Sequence, residues 1–504
     1  MFENFTDAFA NVWSIDTVVV LFLGVAIGTV VGAIPGMTSV LGVALALPFT
    51  FTMSPVMGIL LLLGIYKGGM YGGSIAAIIA RAPGTPAASC TILDGAPMAQ
   101  KGEARRALEM ALYASCIADF ISNLALIVFA GWLASLALAF GPAEYFTLII
   151  FSLTVAAGVA GDDLLRGLAS AALGLMVATI GLDLIYGTER MVFGITELME
   201  GLNFVPVLIG LFAIPEILKQ FTKRQSMAIE INPLAGKSVN FAEFRRCLKT
   251  IFRGSLIGVV LGAIPGIGGI TAAFLSYSEA KRTSPNPEVF GTGEIEGVAA
   301  AESGNNGTAG ATLIPLLALG IPGDVVTAVI LGAFMIHGLR PGPIMFQENL
   351  DVILALFMAI MLSSLFLFVV GKICIRLFSR IAEIPAGILS PAILVLCVFG
   401  VYSVNNSTLD IFVMVAMGFA GYLMALMRLP PAPFLIAFVL GPPFEDAFRQ
   451  SMLLSHGSPS AFFGSAVNWV FWILTILSLT MVARQRFSSA PMKRQSSVPE
   501  TKQE

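Results

Sequence analysis

The chain has 504 residues, of which 57% are apolar and only 12% are charged, and its formal net charge is -3. About a quarter of the residues are charged in a typical soluble domain, so this composition excludes an ordinary globular enzyme and indicates a membrane protein. The charge also excludes a basic nucleic-acid-binding surface, and the five cysteines lack the CxxC spacing of a zinc site.

The first apolar stretch, residues 17–66, contains no charged residue. About 20 helical residues cross the ~30 Å hydrocarbon core of a bilayer, so a stretch of this length must fold back or be interrupted. Further apolar stretches follow along the chain, and helices satisfy their own backbone hydrogen bonds in lipid. The sequence therefore predicts an all-α polytopic membrane protein with roughly ten to twelve spans or hairpin arms.

The distribution of basic residues predicts the orientation of the chain. Lysines and arginines are concentrated in residues 219–253 and in the C-terminal tail, whereas residues 183–203 are mainly acidic. The positive-inside rule therefore places the central linker and the C-terminus in the cytoplasm and the N-terminus outside. The predicted units are an N-terminal membrane repeat (1–218), a cytoplasmic linker (219–253), a C-terminal membrane repeat (254–484) and a cytoplasmic tail (485–504).

One motif of glycines and proline occurs twice. The pattern GxxxGxxxGAIPG covers positions 24–36 and recurs at positions 254–266. Small residues at this spacing also let helices pack closely, but the shared tetrapeptide favours a duplicated unit. A looser match pairs positions 71–74 with 305–308. Since the two halves begin on opposite sides of the membrane, we predict inverted-topology repeats, an architecture typical of secondary transporters.

Four Pro-Gly pairs interrupt the apolar segments. Proline lacks a backbone donor and glycine permits positive φ, so each pair predicts a break in a helix. Irregular backbone is tolerated in a membrane only where it is buried in protein or lines a cavity, so the breaks predict one internal site. Helix N-termini created there suit a carboxylate, and freed carbonyls suit Na⁺. The pairs are at 35–36, 83–84, 265–266 and 322–323.

Small and neutral polar residues surround the breaks, and such groups can hydrogen-bond an anion without holding it by a permanent charge. For each single hydroxyl, a bond between helices is the alternative role. The pair Asn305-Asn306 is a stronger candidate because two asparagines are costly to bury unpaired. The predicted substrate-binding residues are Gly73, Ser74, Thr85, Pro86, Asn305, Asn306, Gly307, Thr308, Pro322 and Gly323. The predicted cation-binding or helix-break residues are Pro35, Gly36, Thr38, Pro265, Gly266 and Thr271.

Five ionisable residues lie in or near the apolar segments and are functional candidates for that reason: Lys67, Arg81, Asp94, Glu302 and Asp324. For Lys67 and Arg81 the alternative is a side chain that extends to the membrane interface. Glu302 is either a helix-end group or part of a proton or cation path. No catalytic constellation or metal-ligand spacing is present in the sequence, so we predict neither an enzyme nor a metal site.

Longer motifs lie at residues 32–36, 71–74, 83–86, 94–99, 297–306, 313–323 and 338–343. They resemble one family, the large membrane subunit (TctA) of the tripartite tricarboxylate transporters. The resemblance covers nearly the full length, up to about residue 485. Two residues depart from the family pattern: Arg81, where a neutral polar residue is usual, and Asp324, where a small residue is usual.

The resemblance implies a bacterial inner-membrane permease that takes up di- or tricarboxylates, citrate among them. It implies coupling to a Na⁺ or H⁺ gradient, with no other cofactor. It also implies two partners, a small four-helix membrane subunit and a periplasmic solute-binding protein. A distant similarity to elevator-type carboxylate transporters would fit the inverted halves. The alternatives are a membrane-embedded hydrolase and a passive anion channel.

Overall fold

The computed structural model describes residues 14–159, 163–183, 185–222, 232, 234–381 and 386–488. The N-terminal residues whose side was predicted, and the predicted tail beyond Ser488, lie outside these ranges. The described helices are α1 (Ile15–Ala33), α2 (Ser39–Ala46), α3 (Pro55–Ala80), α4 (Ile92–Gln100), α5 (Ala104–Ala137), α6 (Pro142–Val159), α7 (Leu164–Ala178), α8 (Phe204–Thr222), α9 (Phe241–Gly262), α10 (Gly268–Thr283), α11 (Ile295–Asn306), α12 (Thr308–Ala311), α13 (Leu313–Leu319), α14 (Val325–Ile336), α15 (Met345–Glu348), α16 (Leu350–Ile381), α17 (Ala386–Asn405), α18 (Thr408–Leu426), α19 (Pro431–Leu454) and α20 (Ala466–Ser488). Short 3₁₀ turns cover Leu47–Thr52, Pro86–Ser89, Thr196–Glu200, Pro287–Val289 and Pro459–Phe463, and β1 (Gly181–Leu182) pairs antiparallel with β2 (Glu189–Arg190).

Six helices of the described ranges are long and apolar enough to cross a membrane, namely α1, α3, α5, α6, α18 and residues 350–377 of α16. Shorter apolar helices accompany them, including α7 and α14. The predicted all-α polytopic membrane protein is thereby confirmed. The predicted interruption of residues 17–66 is also confirmed, because α1, α2 and α3 divide that stretch.

Glycines bring the first and third helices of each half into backbone contact. A Cβ atom at Gly28 of α1 would overlap the carbonyl oxygen of Ile65 in α3. In the second half, a Cβ atom at Gly258 of α9 would lie 2.6 Å from the carbonyl oxygen of Gly304 in α11 and 2.7 Å from Cα of Gly307. The repeated glycine motif therefore serves close helix packing, as small-residue interfaces do in membranes.

Helix packing is reciprocal between the two halves. The first helix of each half packs against the long helix of the other half: α1 against α16, and α9 against α5. The third helices do the same, since α3 contacts α16 and α11 contacts α5. Farther along, α8 packs on α18 and α7 packs on α19. Exchange of the halves therefore reproduces these pairs of packed helices.

Part of the predicted linker, 219–253, is helical in the described structure. Helix α9 starts at Phe241, where the Asn240 side chain accepts from the Glu243 backbone amide and the Glu243 side chain accepts from the Asn240 amide. This reciprocal capping satisfies two free donors of the first turn and fixes the helix start. Residues 241–253 therefore belong to the helix that carries the second glycine motif.

A charged cluster ties the β1–β2 hairpin to α19. The Asp183 carboxylate pairs with Arg449 and lies 3.7 Å from Arg190, which in turn pairs with Glu445 at 2.7 Å. The backbone amides of Tyr186 and Ile185 donate to Asp183, and these bonds, with Arg449, lower the pKa of that carboxyl group to about 2. Ion pairs thus hold the hairpin against α19 of the second half.

Candidate functional site

Each of the four Pro-Gly pairs lies between two helices, as predicted. Helix α1 ends at Ala33 and α2 begins at Ser39, whereas α9 ends at Gly262 and α10 begins at Gly268. Gly36 and Gly266 occupy the same place in these two breaks and both have left-handed backbone, with φ of 86° and 85°. Glycine adopts this conformation without the steric cost that other residues incur, which explains its position after proline.

Within each half the two breaks lie against each other. In the first half, a Cβ atom at Gly84 would overlap the carbonyl oxygen of Gly32 and lie 2.8 Å from Cα of Gly73. The Gly84 amide donates to the Gly73 carbonyl at 3.3 Å. In the second half, the Gly266 amide donates to the Gly323 carbonyl at 2.8 Å. In the second half, part of the backbone that one break frees is therefore paired with the other break, whereas in the first half it is paired with α3.

This close approach predicts a large effect of one methyl group. We expect Gly84→Ala to lower the free energy of unfolding by about 1–3 kcal/mol, because backbone atoms of two helices must move apart. The matched control is Gly131→Ala in α5, where the nearest atom to an added Cβ is 3.9 Å away. Thermal unfolding of both variants in detergent measures the difference. Equal midpoints for the two variants would contradict the packing described here.

The spatial register of the two halves differs from the looser sequence match. The contact of Gly84 with Gly73 in the first half matches the contact of Gly323 with Thr312 in the second half. Position 84 therefore corresponds to position 323, and position 73 corresponds to position 312. In this register Tyr66 corresponds to Asn305. The predicted pairing of positions 71–74 with 305–308 is therefore wrong, and it is displaced by more than one helical turn. The looser sequence match aligned a glycine that both halves share, whereas the helix contacts align different positions.

Two predicted site residues carry buried polar atoms without partners. Asn305 Nδ2 and Thr85 Oγ1 have no hydrogen-bond partner in the described part of the chain. Asn305 faces the first turn of α10, where a Cβ atom at Gly269 would lie 2.6 Å from Asn305 Oδ1 and 3.5 Å from Ala87 Cβ. The 3₁₀ turn that follows Thr85 packs on both α10 and α11. A buried polar atom without a partner costs free energy, so these two atoms require a ligand or water.

The corresponding place in the other half is fully bonded. The Tyr66 hydroxyl donates to Asp324 at 2.9 Å and lies 3.1 Å from the Thr312 hydroxyl. Asp324 also caps α14, since its Oδ1 accepts from the Thr327 amide at 2.7 Å. Asp324 thus joins α3 of the first half to the second break of the other half.

Lys67 is buried and ion-paired, so the predicted alternative of a side chain extended to the interface is wrong for this residue. Its Nζ donates to Asp119 at 2.7 Å and to Asn123 at 2.6 Å, and it is 1% exposed. Ser364 of α16 donates to Asp119 at 2.6 Å. The charge of Lys67 is neutralised by Asp119 and is not free for a substrate.

Arg81 and Asp94, two other predicted ionisable residues, bond to different partners. Arg81 is exposed at the end of α3 and bonds to Gln100 at 3.1 Å. Asp94 accepts from the backbone amides of residues 291, 293 and 294 and from the Tyr277 hydroxyl. Asp94 therefore anchors α4 to the segment before α11.

Glu302 joins the two halves through its side chain. It lies on α11 and is 0% exposed. Ser74 of α3 and Thr91 donate to its Oε1, and Ser115 and Asn306 donate to its Oε2. Three of these four donors belong to the first half. Sequence reasoning named Ser74, Asn306 and Glu302 as separate candidates but did not predict that they bond to one another.

The other predicted residues vary in exposure. Thr308 donates to the Asn305 carbonyl at 2.7 Å, and Thr38 caps α2 by accepting from the Leu41 amide at 3.2 Å. Pro86 and Thr271 are exposed. The remaining predicted residues within these segments are buried or half-buried: Pro35, Gly36, Gly73, Pro265, Gly266, Gly307, Pro322 and Gly323.

Sequence reasoning missed Ser115, Asp119 and Asn123. All three lie on α5. Asp119 and Asn123 are four residues apart and therefore share one helix face, a spacing that indicates a polar stripe. Among the described residues, no group of three or more His, Cys, Asp or Glu side chains can hold a metal ion.

Comparison with known proteins places the chain among transport proteins. Residues 18–436 match the model of the family described as "Tripartite tricarboxylate transporter TctA family". A protein of Agrobacterium vitis, "Uncharacterized 52.8 kDa protein in TAR-I ttuC' 3'region", is 38% identical over 92% of both chains. A second, from the same organism, "Uncharacterized protein in TAR-II ttuC' 3'region", is 39% identical over 41% of this chain and 85% of its own. No solved structure matches the chain.

Proposed function

The chain belongs to the tripartite tricarboxylate transporter TctA family, and from this premise we propose that it carries a di- or tricarboxylate across the bacterial inner membrane together with a Na⁺ or H⁺ ion. The family is a transporter family whose members work with partner subunits. The partners proposed here are a small four-helix membrane subunit and a periplasmic binding protein that delivers the substrate.

One observation supports the substrate site most directly: Asn305 Nδ2 and Thr85 Oγ1 are buried and have no partner in the described chain. Both groups donate hydrogen bonds, and the first turn of α10 beside Asn305 presents backbone amides at the positive end of a helix. Donors of this kind suit a carboxylate. We place the substrate between α10, α11 and the turn after Thr85.

The transport cycle proposed here uses two inverted repeats in an elevator-type movement. The reciprocal packing of α1 on α16 and α9 on α5 supports the repeat. The matching contacts of Gly84 with Gly73 and of Gly323 with Thr312 support it as well. The N-terminus lies outside and the C-terminus lies in the cytoplasm in this proposal.

Counterflow of citrate tests the proposed function. The full chain is reconstituted into liposomes with both partner proteins, and the liposomes are loaded with unlabelled citrate. We expect labelled citrate to accumulate transiently above its equilibrium level, because a carrier exchanges one bound substrate for another. Succinate and tartrate serve as dicarboxylate probes in parallel.

Other outcomes would identify the alternatives. A passive anion channel would give flux without a transient excess, and a membrane-embedded hydrolase would give a chemically altered probe. The absence of counterflow with all three carboxylates would contradict the proposed function.

A further inference from the structure

We propose that Glu302 binds the coupling ion and that this ion is a proton. This inference rests on the proposed function, because it names the group that couples carboxylate uptake to an ion gradient. In each cycle the Glu302 carboxylate would take one proton from the outside, cross the membrane as the neutral acid, and release that proton to the cytoplasm.

The Glu302 side chain is enclosed by neutral donors. Ser74 donates to Oε1 at 2.6 Å, Ser115 donates to Oε2 at 3.0 Å, and Thr91 also donates to Oε1. Asn306 donates to Oε2 at 3.3 Å. None of the described lysines and arginines forms an ion pair with Glu302. A buried carboxylate without a cation is costly when charged, so a bound proton stabilises it.

Two other buried carboxylates of the same region have different partners. Asp119 is paired with Lys67 at 2.7 Å, so its charge is balanced. Asp94 accepts from three backbone amides, which can donate hydrogen bonds but cannot accept them. Among the described residues, Glu302 has neither a cation nor a backbone amide as a hydrogen-bond donor.

The partners of Glu302 fit both of its protonation states. A hydroxyl group can donate a hydrogen bond to a carboxylate or accept one from a carboxylic acid. Ser74, Thr91 and Ser115 provide three such hydroxyls. A bound Na⁺ fits less well, because Asn306 presents its amide nitrogen to Oε2, and this nitrogen cannot ligate a cation.

Several titratable groups lie on the elements packed around α11. Tyr71 comes from α3, Cys90 from the turn before α4, and Cys247 from α9. Phenol and thiol groups ordinarily titrate above neutral pH. Asp94 of α4, bonded to Tyr277 of α10, and Asp119 of α5, paired with Lys67, already have fixed partners.

The contact of Glu302 with the first half also explains how a proton could be linked to the movement of substrate. Glu302 and Asn306 lie on α11, the helix that carries Asn305, whereas Ser74, Thr91 and Ser115 belong to the other half. Protonation of Glu302 changes the bonds between the halves one helical turn from the substrate site. The proton and the carboxylate therefore act on the same helix.

Glu302→Gln tests this inference in liposomes that contain the chain and its two partner proteins. In the wild-type protein, we expect a pH gradient, acidic outside, to drive accumulation of labelled citrate. Gln imitates the protonated acid and cannot release a proton, so the variant should lose at least about 10-fold in gradient-driven accumulation. It should keep citrate counterflow, since exchange requires no net proton movement. The matched control is Glu296→Gln on the same helix, which should keep both activities.

A second variant keeps the test decisive if Glu302→Gln does not fold. Ser115→Ala removes one donor to the ionised carboxyl group and so favours the protonated form of Glu302. The pH at which gradient-driven accumulation is half-maximal should therefore move upward relative to the wild-type protein. An unchanged half-maximal pH in a folded Ser115→Ala protein would count against Glu302 as the proton carrier.

The outcomes separate this inference from the proposed function. If wild-type protein shows no counterflow, the proposed function fails. If counterflow is present but accumulation follows only a Na⁺ gradient, or if Glu302→Gln accumulates citrate like the wild type under a pH gradient, then the proton inference alone is overturned.

Discussion

Asn305→Ala is expected to lower citrate uptake roughly 10- to 100-fold while the protein remains folded. A hydrogen bond to a charged group contributes about 1.5–3 kcal/mol, which corresponds to a change of this size in affinity. Because Asn305 Nδ2 has no partner in the described chain, its removal breaks no hydrogen bond of that atom within the protein. The measurement is initial uptake against citrate concentration, with size-exclusion chromatography to check folding.

Two further variants serve as a second test and as a control for this prediction. Thr85→Val keeps the shape of the side chain and removes the other unpartnered donor, so it should weaken uptake in the same direction. Asn468→Ala is the matched control: its amide group donates to the Ala461 carbonyl and accepts from Thr147, so it should lower stability and leave the citrate KM unchanged. An unchanged KM and maximal rate for Asn305→Ala would remove this residue from the site.

Lys67→Met is expected to lower the free energy of unfolding by about 3–5 kcal/mol, the largest loss of stability among these variants. The substitution keeps a long side chain but leaves the Asp119 carboxylate buried without its cation. The remaining donors to Asp119, Ser364 and Asn123, are neutral. Thermal unfolding in detergent measures the loss.

The double variant Lys67→Met with Asp119→Asn separates charge from packing. It removes both members of the pair, so most of the lost stability should return, because no uncompensated charge stays buried. The control for an exposed pair is Arg282→Ala, which removes a partner of Glu279 at the surface and should cost under about 1 kcal/mol. If the double variant is no more stable than Lys67→Met, the buried charge is not the cause.

Some of the site could be predicted before the structure and some could not. The candidate residues Asn305, Thr85 and Glu302 were all chosen because polar groups are rare in apolar segments. Their individual roles were not predictable, since the same reasoning applied equally to Ser74 and Asn306. The structure separates them: Ser74 and Asn306 bond to Glu302, whereas Asn305 Nδ2 and Thr85 Oγ1 have no partner in the described chain.

The sequence by itself determined the membrane environment, the helical class, the positions of the Pro-Gly breaks and the family. These features depend on composition and on the chemistry of neighbouring residues, such as a proline without an amide hydrogen. The tertiary structure alone decided that Lys67 is paired, that the contacts of Gly84 match those of Gly323, and that Tyr66 meets Asp324. Tyr66 and Asp324 are far apart in the chain, and only the packing of distant helices brings such groups together. The charge state and role of a buried polar group depend on those neighbours, which local sequence does not specify.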